Sequence, residues 1–244
     1  MGVLHWAGHP QPVSTVVVGT VLSAGGALLP DLDMSGKVTA CRGGATIAHT
    51  FGVVSLFAAE CCEKVSLGVY DATRTRYDER RSNGHRTLTH TLPFTAAAGF
   101  GVFELCRQFG RWAVVACLFV AFATAVRGLF DDWVAKAGWL LTTFASALAA
   151  GLAYWWLPTG RASPLLAVAL GFGALVHLAG DSCTEEGCPL LAPLVRVRGR
   201  RWYRFGLPKV LRMRTGGRVE AFWGWLFTAA GFAGASWLVF LGVG

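Results

Sequence analysis

Charge is what this chain has least of. Only 15% of its 244 residues are Asp, Glu, Lys or Arg, against about 25% in an ordinary soluble domain. The shortage is concentrated in uncharged runs at 12–29, 112–126, 137–157, 164–176 and 221–244, and in a shorter one that begins at Pro93 and stops at Glu104. Such runs exclude a soluble globular protein and suit helices crossing a hydrocarbon core about 30 Å thick. The start, MGVLHWAGHPQP, lacks the basic stretch that precedes the apolar core of a cleavable signal. The seven cysteines form no disulfide framework, and only Cys183 and Cys188 resemble a metal or redox spacing. GxSxG, P-loop and GxGxxG patterns are all missing, which excludes the chemistries those turns support.

What remains reads as an all-α, polytopic transmembrane bundle of about six spans, near 12–29, 93–106, 112–126, 137–157, 164–180 and 221–243. The apolar stretch 44–60 is short and contains His49 and Gly52, so it is expected to be a re-entrant or interfacial helix. The whole of 1–244 then forms one membrane-embedded domain, with 181–220 as a basic loop. The net charge of +8 is distributed by side. With these spans, every Lys and Arg except Arg107, Arg111 and Arg161 falls in 30–92, 127–136 or 181–220. All three segments lie on one face, which the positive-inside rule makes cytoplasmic.

Three pairs of metal-binding residue types occur on that same face: Asp31 and Asp33 in PDLD, His85 and His90 in HRTLTH, His177 and Asp181 in HLAGD. Imidazole and carboxylate are the ligands a divalent cation takes, and three pairs could close a shell around one or two ions. His177 and Asp181 are i, i+4 on a predicted helix, so both face one way. Asp31 and Asp33 share a direction only if the segment is extended, as Pro30 suggests. Asn83-Gly84 predicts a turn that leaves His85 in a loop while His90 enters a helix. Arg86 between them suits a phosphate or carboxylate oxygen, and Thr87, Thr89 and Thr91 offer hydroxyls to the ligands.

Other residues read more simply. Asp131 and Asp132 fit a connecting turn, and His49 fits a buried structural histidine. His5 and His9 carry little information. Glu185 and Glu186 could act as a base or be ordinary loop carboxylates. The segment 194–220 alternates Arg with Val, Trp, Tyr and Phe. It fits an anchor on anionic headgroups, a source of arginine for a phosphate-bearing substrate, or, least favoured, a nucleic-acid track. VRVRGRRWYRF would also suit a short β-hairpin on the membrane.

GALLPDLD at 26–33, GHRTLTHTL at 84–92 and HLAGDSCTEEGCPLLAP at 177–193 together resemble the YdjM-like family of predicted bacterial inner-membrane metal-dependent hydrolases. The resemblance extends distantly to zinc-dependent phospholipase C. It implies a multi-helix protein of the bacterial cytoplasmic membrane whose metal residues are Asp31, Asp33, His85, His90, His177 and Asp181. The metal is expected to be Zn²⁺, with Mn²⁺ or Mg²⁺ as alternatives. Asp31 and Arg86 are the catalytic candidates. Met34 departs from the pattern, since family members often carry a histidine directly after PDLD. The expected activity is hydrolysis of a phosphoester of a lipid or lipid-linked molecule at the cytoplasmic surface. A divalent-cation transporter and a non-catalytic membrane protein with a structural metal are the rival readings.

Overall fold

In the computed structural model the described residues are 12–35, 48, 50–157, 162–209 and 212–214, with isolated positions beyond. They form six α-helices and no strand: α1 Val13–Gly26, α2 Val53–Thr73, α3 Leu92–Phe109, α4 Arg111–Leu129, α5 Asp131–Trp156 and α6 Ala162–Ser182. Among the described residues four segments are long and apolar enough to cross a membrane: Val13–Asp33, α4, α5 and α6. The expected last span, 221–243, lies outside the described residues apart from isolated positions. His5, His9 and His49 also lie outside them.

The sequence explains where these helices start and stop. Pro12 precedes α1, and Gly25-Gly26 end it before Pro30 opens a 3-10 turn over Pro30–Asp33. Thr91 caps α3 by accepting a hydrogen bond from the Phe94 amide, with proline in the first turn. Gly110, at φ +59°, turns α3 directly into α4. The expected span 137–157 proves to be a longer helix, α5, broken at Gly138, where φ is 78°. The charged Asp131–Lys136 turn is thereby set off from the apolar part.

α1 lies between α4 and α6, and α3 packs on α6. Leu22, Leu118, Leu166 and Leu170 form the centre of this core. Backbones approach closely here because the contact residues are small. A Cβ on Gly25 would fall 2.1 Å from the Ala121 carbonyl oxygen, and one on Gly26 would fall 2.5 Å from that of Leu170. The outer faces of α5 and α6 carry exposed Trp155, Phe144, Val168 and Phe172, as expected of surfaces that meet lipid.

The stretch expected at 44–60 differs in extent. What is described is α2, which runs on through Glu60, Glu63 and Lys64 to Thr73. Those charges keep it off the set of membrane-length apolar helices. Just before its first turn, Phe51 stacks on Phe119 of α4 with ring centroids 5.2 Å apart. Its last turns carry the basic segment. Trp202 packs on Tyr70 at 5.0 Å and donates its indole N–H to Thr73 Oγ1 at 3.1 Å. The expected β-hairpin reduces to isolated bridges, Cys188 with Phe205 and Val197 with Arg200, the latter closing a tight turn. The segment is therefore a folded cap over the end of α2 and not a loose tether.

Asp78 pins this cap. Its carboxylate accepts from the backbone N–H groups of Thr75 at 2.7 Å, Arg201 at 3.2 Å and Trp202 at 3.0 Å. Burial opposes its charge, but these donors outweigh burial and hold its pKa below the usual carboxylate value. A depressed folded pKa contributes stability that is present above the unfolded value and lost as pH falls through the folded one. Hydrogen bonds to a charged group contribute about 1.5–3 kcal/mol. Asp78→Ala should thus speed amide exchange at Arg201 and Trp202 by roughly 30-fold or more near neutrality, and acid should loosen the same amides in the unaltered protein. Unchanged exchange at both would remove Asp78 from this role.

Candidate metal centre

The three motifs meet at one end of the bundle. Pro30–Asp33 follows α1, a second 3-10 turn at Leu88–His90 precedes α3, and His177 and Asp181 lie in the last turns of α6. His90 Nε2 is 3.3 Å from Asp181 Oδ2 and 3.5 Å from Asp31 Oδ1. His177 Nε2 is 3.6 Å from the same Asp181 oxygen and 3.8 Å from the same Asp31 oxygen. Three of these atoms, His90 Nε2, His177 Nε2 and Asp181 Oδ2, are buried with no hydrogen-bond partner. An orphaned buried polar atom costs about 1–3 kcal/mol, so three facing one another are strong grounds for a missing common partner.

Ligands about 2.0–2.2 Å from a tetrahedral ion lie roughly 3.3–3.6 Å apart. His90, His177 and Asp181 form one group that fits this spacing, whereas Asp31, 3.5 Å and 3.8 Å from the same two imidazoles, groups with His85 and His90. Two imidazole nitrogens and a carboxylate oxygen, with a second carboxylate beside them, fit a divalent cation by chemistry as well. His85 stands beside them: with Asp31 and His90 it forms a second group whose ligand atoms lie within 4.8 Å of one another.

Each of these side chains is aimed by a second contact. Asp181 Oδ1 is held by Arg86 Nη2 at 2.7 Å, leaving Oδ2 for the centre. Arg86 also donates to Thr184 Oγ1 at 3.2 Å, so it serves the centre through Asp181 and does not stand open to solvent. Its φ of 55° is uncommon for a residue with a side chain.

Asp33 has a different place from Asp31. It is fully buried, its Oδ1 is 2.8 Å from His85 Nδ1, and its Oδ2 accepts from the Thr89 hydroxyl. The single Thr89 proton is thereby committed to Asp33, so the 3.0 Å contact to His90 Nδ1 assigns the N–H to His90. Neutral His90 then presents the lone pair of Nε2 to the centre. By the same logic Asp33 turns Nε2 of His85 outward. The carboxylate expected as a metal residue is spent on orienting two histidines. Burial works against charge on His90, yet without a metal the carboxylates of Asp31 and Asp33 outweigh it and lift its pKa to about 9, so a cation that takes the Nε2 lone pair displaces a proton there.

Two further expectations change in detail. Asp31 and Asp33 do not lie in an extended segment. Leu29 is helical before Pro30, and the turn brings the two carboxylates to opposite nitrogens of His90, Asp31 towards Nε2 and Asp33 towards Nδ1. His90 stops just short of α3 instead of entering it. Of the three threonines only Thr89 reaches the ligands, since Thr87 and Thr91 bond to the Gly84 and Leu88 carbonyls. Met34, at the departing position, is buried. Asp131 pairs with Arg127 at 3.0 Å, away from the centre. Cys188 donates to the His90 carbonyl, and burial pushes its thiol up to about 12. Cys183 donates back to the Ala179 carbonyl of α6, so the two thiols are engaged on different partners. Two contacts escaped the sequence reading. Glu186 approaches Arg86 at 3.5 Å, and Glu63 accepts from the Gly84 amide at 2.8 Å.

The model of the YdjM inner membrane protein family matches residues 1–243. The chain belongs to the YdjM family. No curated protein and no solved structure is matched. For this YdjM protein, inner-membrane residence and four helices able to span agree. The family description names no activity, and the likeness to zinc-dependent phospholipase C rests on the sequence motifs alone.

One test isolates the orienting role of Asp33. Asp33→Asn keeps its shape but removes the charge that fixes both histidines. Metal affinity measured by competition with a chelating dye should fall about 10- to 100-fold, the usual effect of losing such a partner. An unchanged affinity would contradict the assignment.

Proposed function

We propose that this YdjM protein is a membrane-bound metal-dependent hydrolase that acts at the cytoplasmic face on a phosphoester of a lipid or lipid-linked substrate. The observation that carries this reading is the convergence of His90 Nε2, His177 Nε2, Asp181 Oδ2 and Asp31 Oδ1 with three of the four unpartnered. His90, His177 and Asp181 would hold the ion, with Asp31 and His85 adjoining. The spacing supports Zn²⁺, because octahedral Mg²⁺ at about 2.0–2.1 Å would bring neighbouring ligands to roughly 2.9 Å. When bound, such an ion polarises a phosphoryl oxygen and makes water a better nucleophile.

The chain's own residues supply the rest. Asp31 is the less constrained of the two 3-10-turn carboxylates, and it faces both coordinating histidines. Arg86 fixes Asp181 and brings a guanidinium next to the place where a phosphoryl group would carry its charge. The basic cap beside it supports an anionic substrate, and the crowding of Lys and Arg at this end supports a cytoplasmic position. A site at the ends of α1 and α6 favours surface chemistry over ion passage, since transport sites lie near the midplane.

The test is hydrolysis by purified protein in detergent or proteoliposomes, against phospholipids and generic phosphodiesters, with and without chelator. Turnover that is lost on chelation and in both His177→Ala and Asp31→Ala supports the reading. Divalent-ion flux into liposomes without any hydrolysis would replace it with the transporter.

A further inference from the structure

Two cavities, of about 150 and 220 Å³, adjoin the metal centre through Arg86 and His85 and share Glu79, Arg81 and Arg204. One reaches Arg86 and the other His85, so together they form a groove that starts where the metal residues end. Both cavities are smaller than the roughly 300–1,000 Å³ of a site for a drug-sized ligand. Every residue lining the second is polar. Such a groove suits a compact polar group and not an acyl chain.

Its charge is specific. In the first cavity Arg81, Arg86, Arg200 and Arg204 face two carboxylates, Asp78 and Glu79. Asp78 is already engaged by three backbone N–H groups. Arg81 is anchored through Nη1 on the His85 carbonyl at 2.7 Å, which holds its guanidinium at the groove. Arg86 is buried, and its Nε has no partner. Guanidinium groups held in place in this way match the oxygens of a phosphate group.

We propose that this groove binds a second phosphate of the substrate, beyond the one placed at the metal, so that the preferred substrates are diphosphates. The inference rests on the hydrolase reading for its orientation, but the groove binds its anion without a metal.

Full-length protein in detergent micelles, stripped with chelator, is titrated calorimetrically with inorganic pyrophosphate and, separately, with farnesyl diphosphate. Arg200→Ala combined with Arg204→Ala should weaken both ligands tenfold or more and leave Zn²⁺ affinity unchanged, while the matching double Lys variant should recover part of the loss. Binding of both ligands that is indifferent to the two arginines overturns the inference, as does binding of the prenyl compound alone, which would mean recognition of the chain. Anion binding that appears only with metal and vanishes in His177→Ala also overturns it, yet leaves the hydrolase intact. Arginine-dependent binding together with no hydrolysis under any metal sustains the groove and defeats the hydrolase.

Discussion

His177→Ala should lower the protein's affinity for Zn²⁺ by about 100-fold or more while leaving the metal-free fold essentially unchanged. The change removes one of three converging ligand atoms, and losing even an orienting partner costs about 10- to 100-fold in metal affinity. The fold should tolerate it because His177 Nε2 has no hydrogen bond to lose. Removing it deletes an orphaned polar atom beside Asp181. Competition with a chelating dye reads the affinity, and thermal unfolding in the presence of chelator reads the fold. Full-strength Zn²⁺ binding by the variant would take His177 out of the centre.

Gly173→Ala should be the most damaging small substitution in the bundle. Its Cβ would fall 2.0 Å from the Ser23 carbonyl oxygen and 2.7 Å from the Ala27 amide nitrogen. Both obstacles are backbone, so no side chain can turn aside and α1 must move away from α6. Overpacking of this kind costs about 1–3 kcal/mol, at times more. The displacement also has a functional reading, because α1 leads into the turn that carries Asp31 and α6 carries His177 and Asp181. Metal affinity should fall together with the unfolding temperature. Gly171→Ala is the internal control, since nothing lies within 4 Å of its Cβ. It should be neutral or slightly stabilising, because alanine favours helix. Equal behaviour of the two variants would contradict the close approach of α1 and α6.

Much of the centre was legible because its spacing is local. The i, i+4 separation of His177 and Asp181 predicts one helical face, and the structure brings the two together. The charge bias along the chain, read without reference to the ligands, predicts that PDLD, HRTLTH and HLAGD share an end, and they meet there. The division of labour between Asp31 and Asp33 was not legible. It depends on a 3-10 turn after a helical Leu29, where the residue before a proline usually avoids helix. Arg86 likewise reads as a free phosphate ligand until Asp181 is found beside it. That contact joins residues 95 positions apart, beyond any local pattern. The extent of α2 was hidden because Glu60, Glu63 and Lys64 interrupt the apolar signal while the helix itself continues. The basic segment alternates like a strand, but its order comes from Asp78 and Trp202 holding it to α2.

The most direct measurement is X-ray absorption at the zinc edge on the purified, metal-reconstituted protein. The account predicts one tightly bound ion with two histidine nitrogens and at least one carboxylate oxygen at about 2.0–2.2 Å, and loss of one nitrogen scatterer in His177→Ala. A protein that retains no metal after reconstitution, or a shell of cysteine sulfur without histidine, would contradict it.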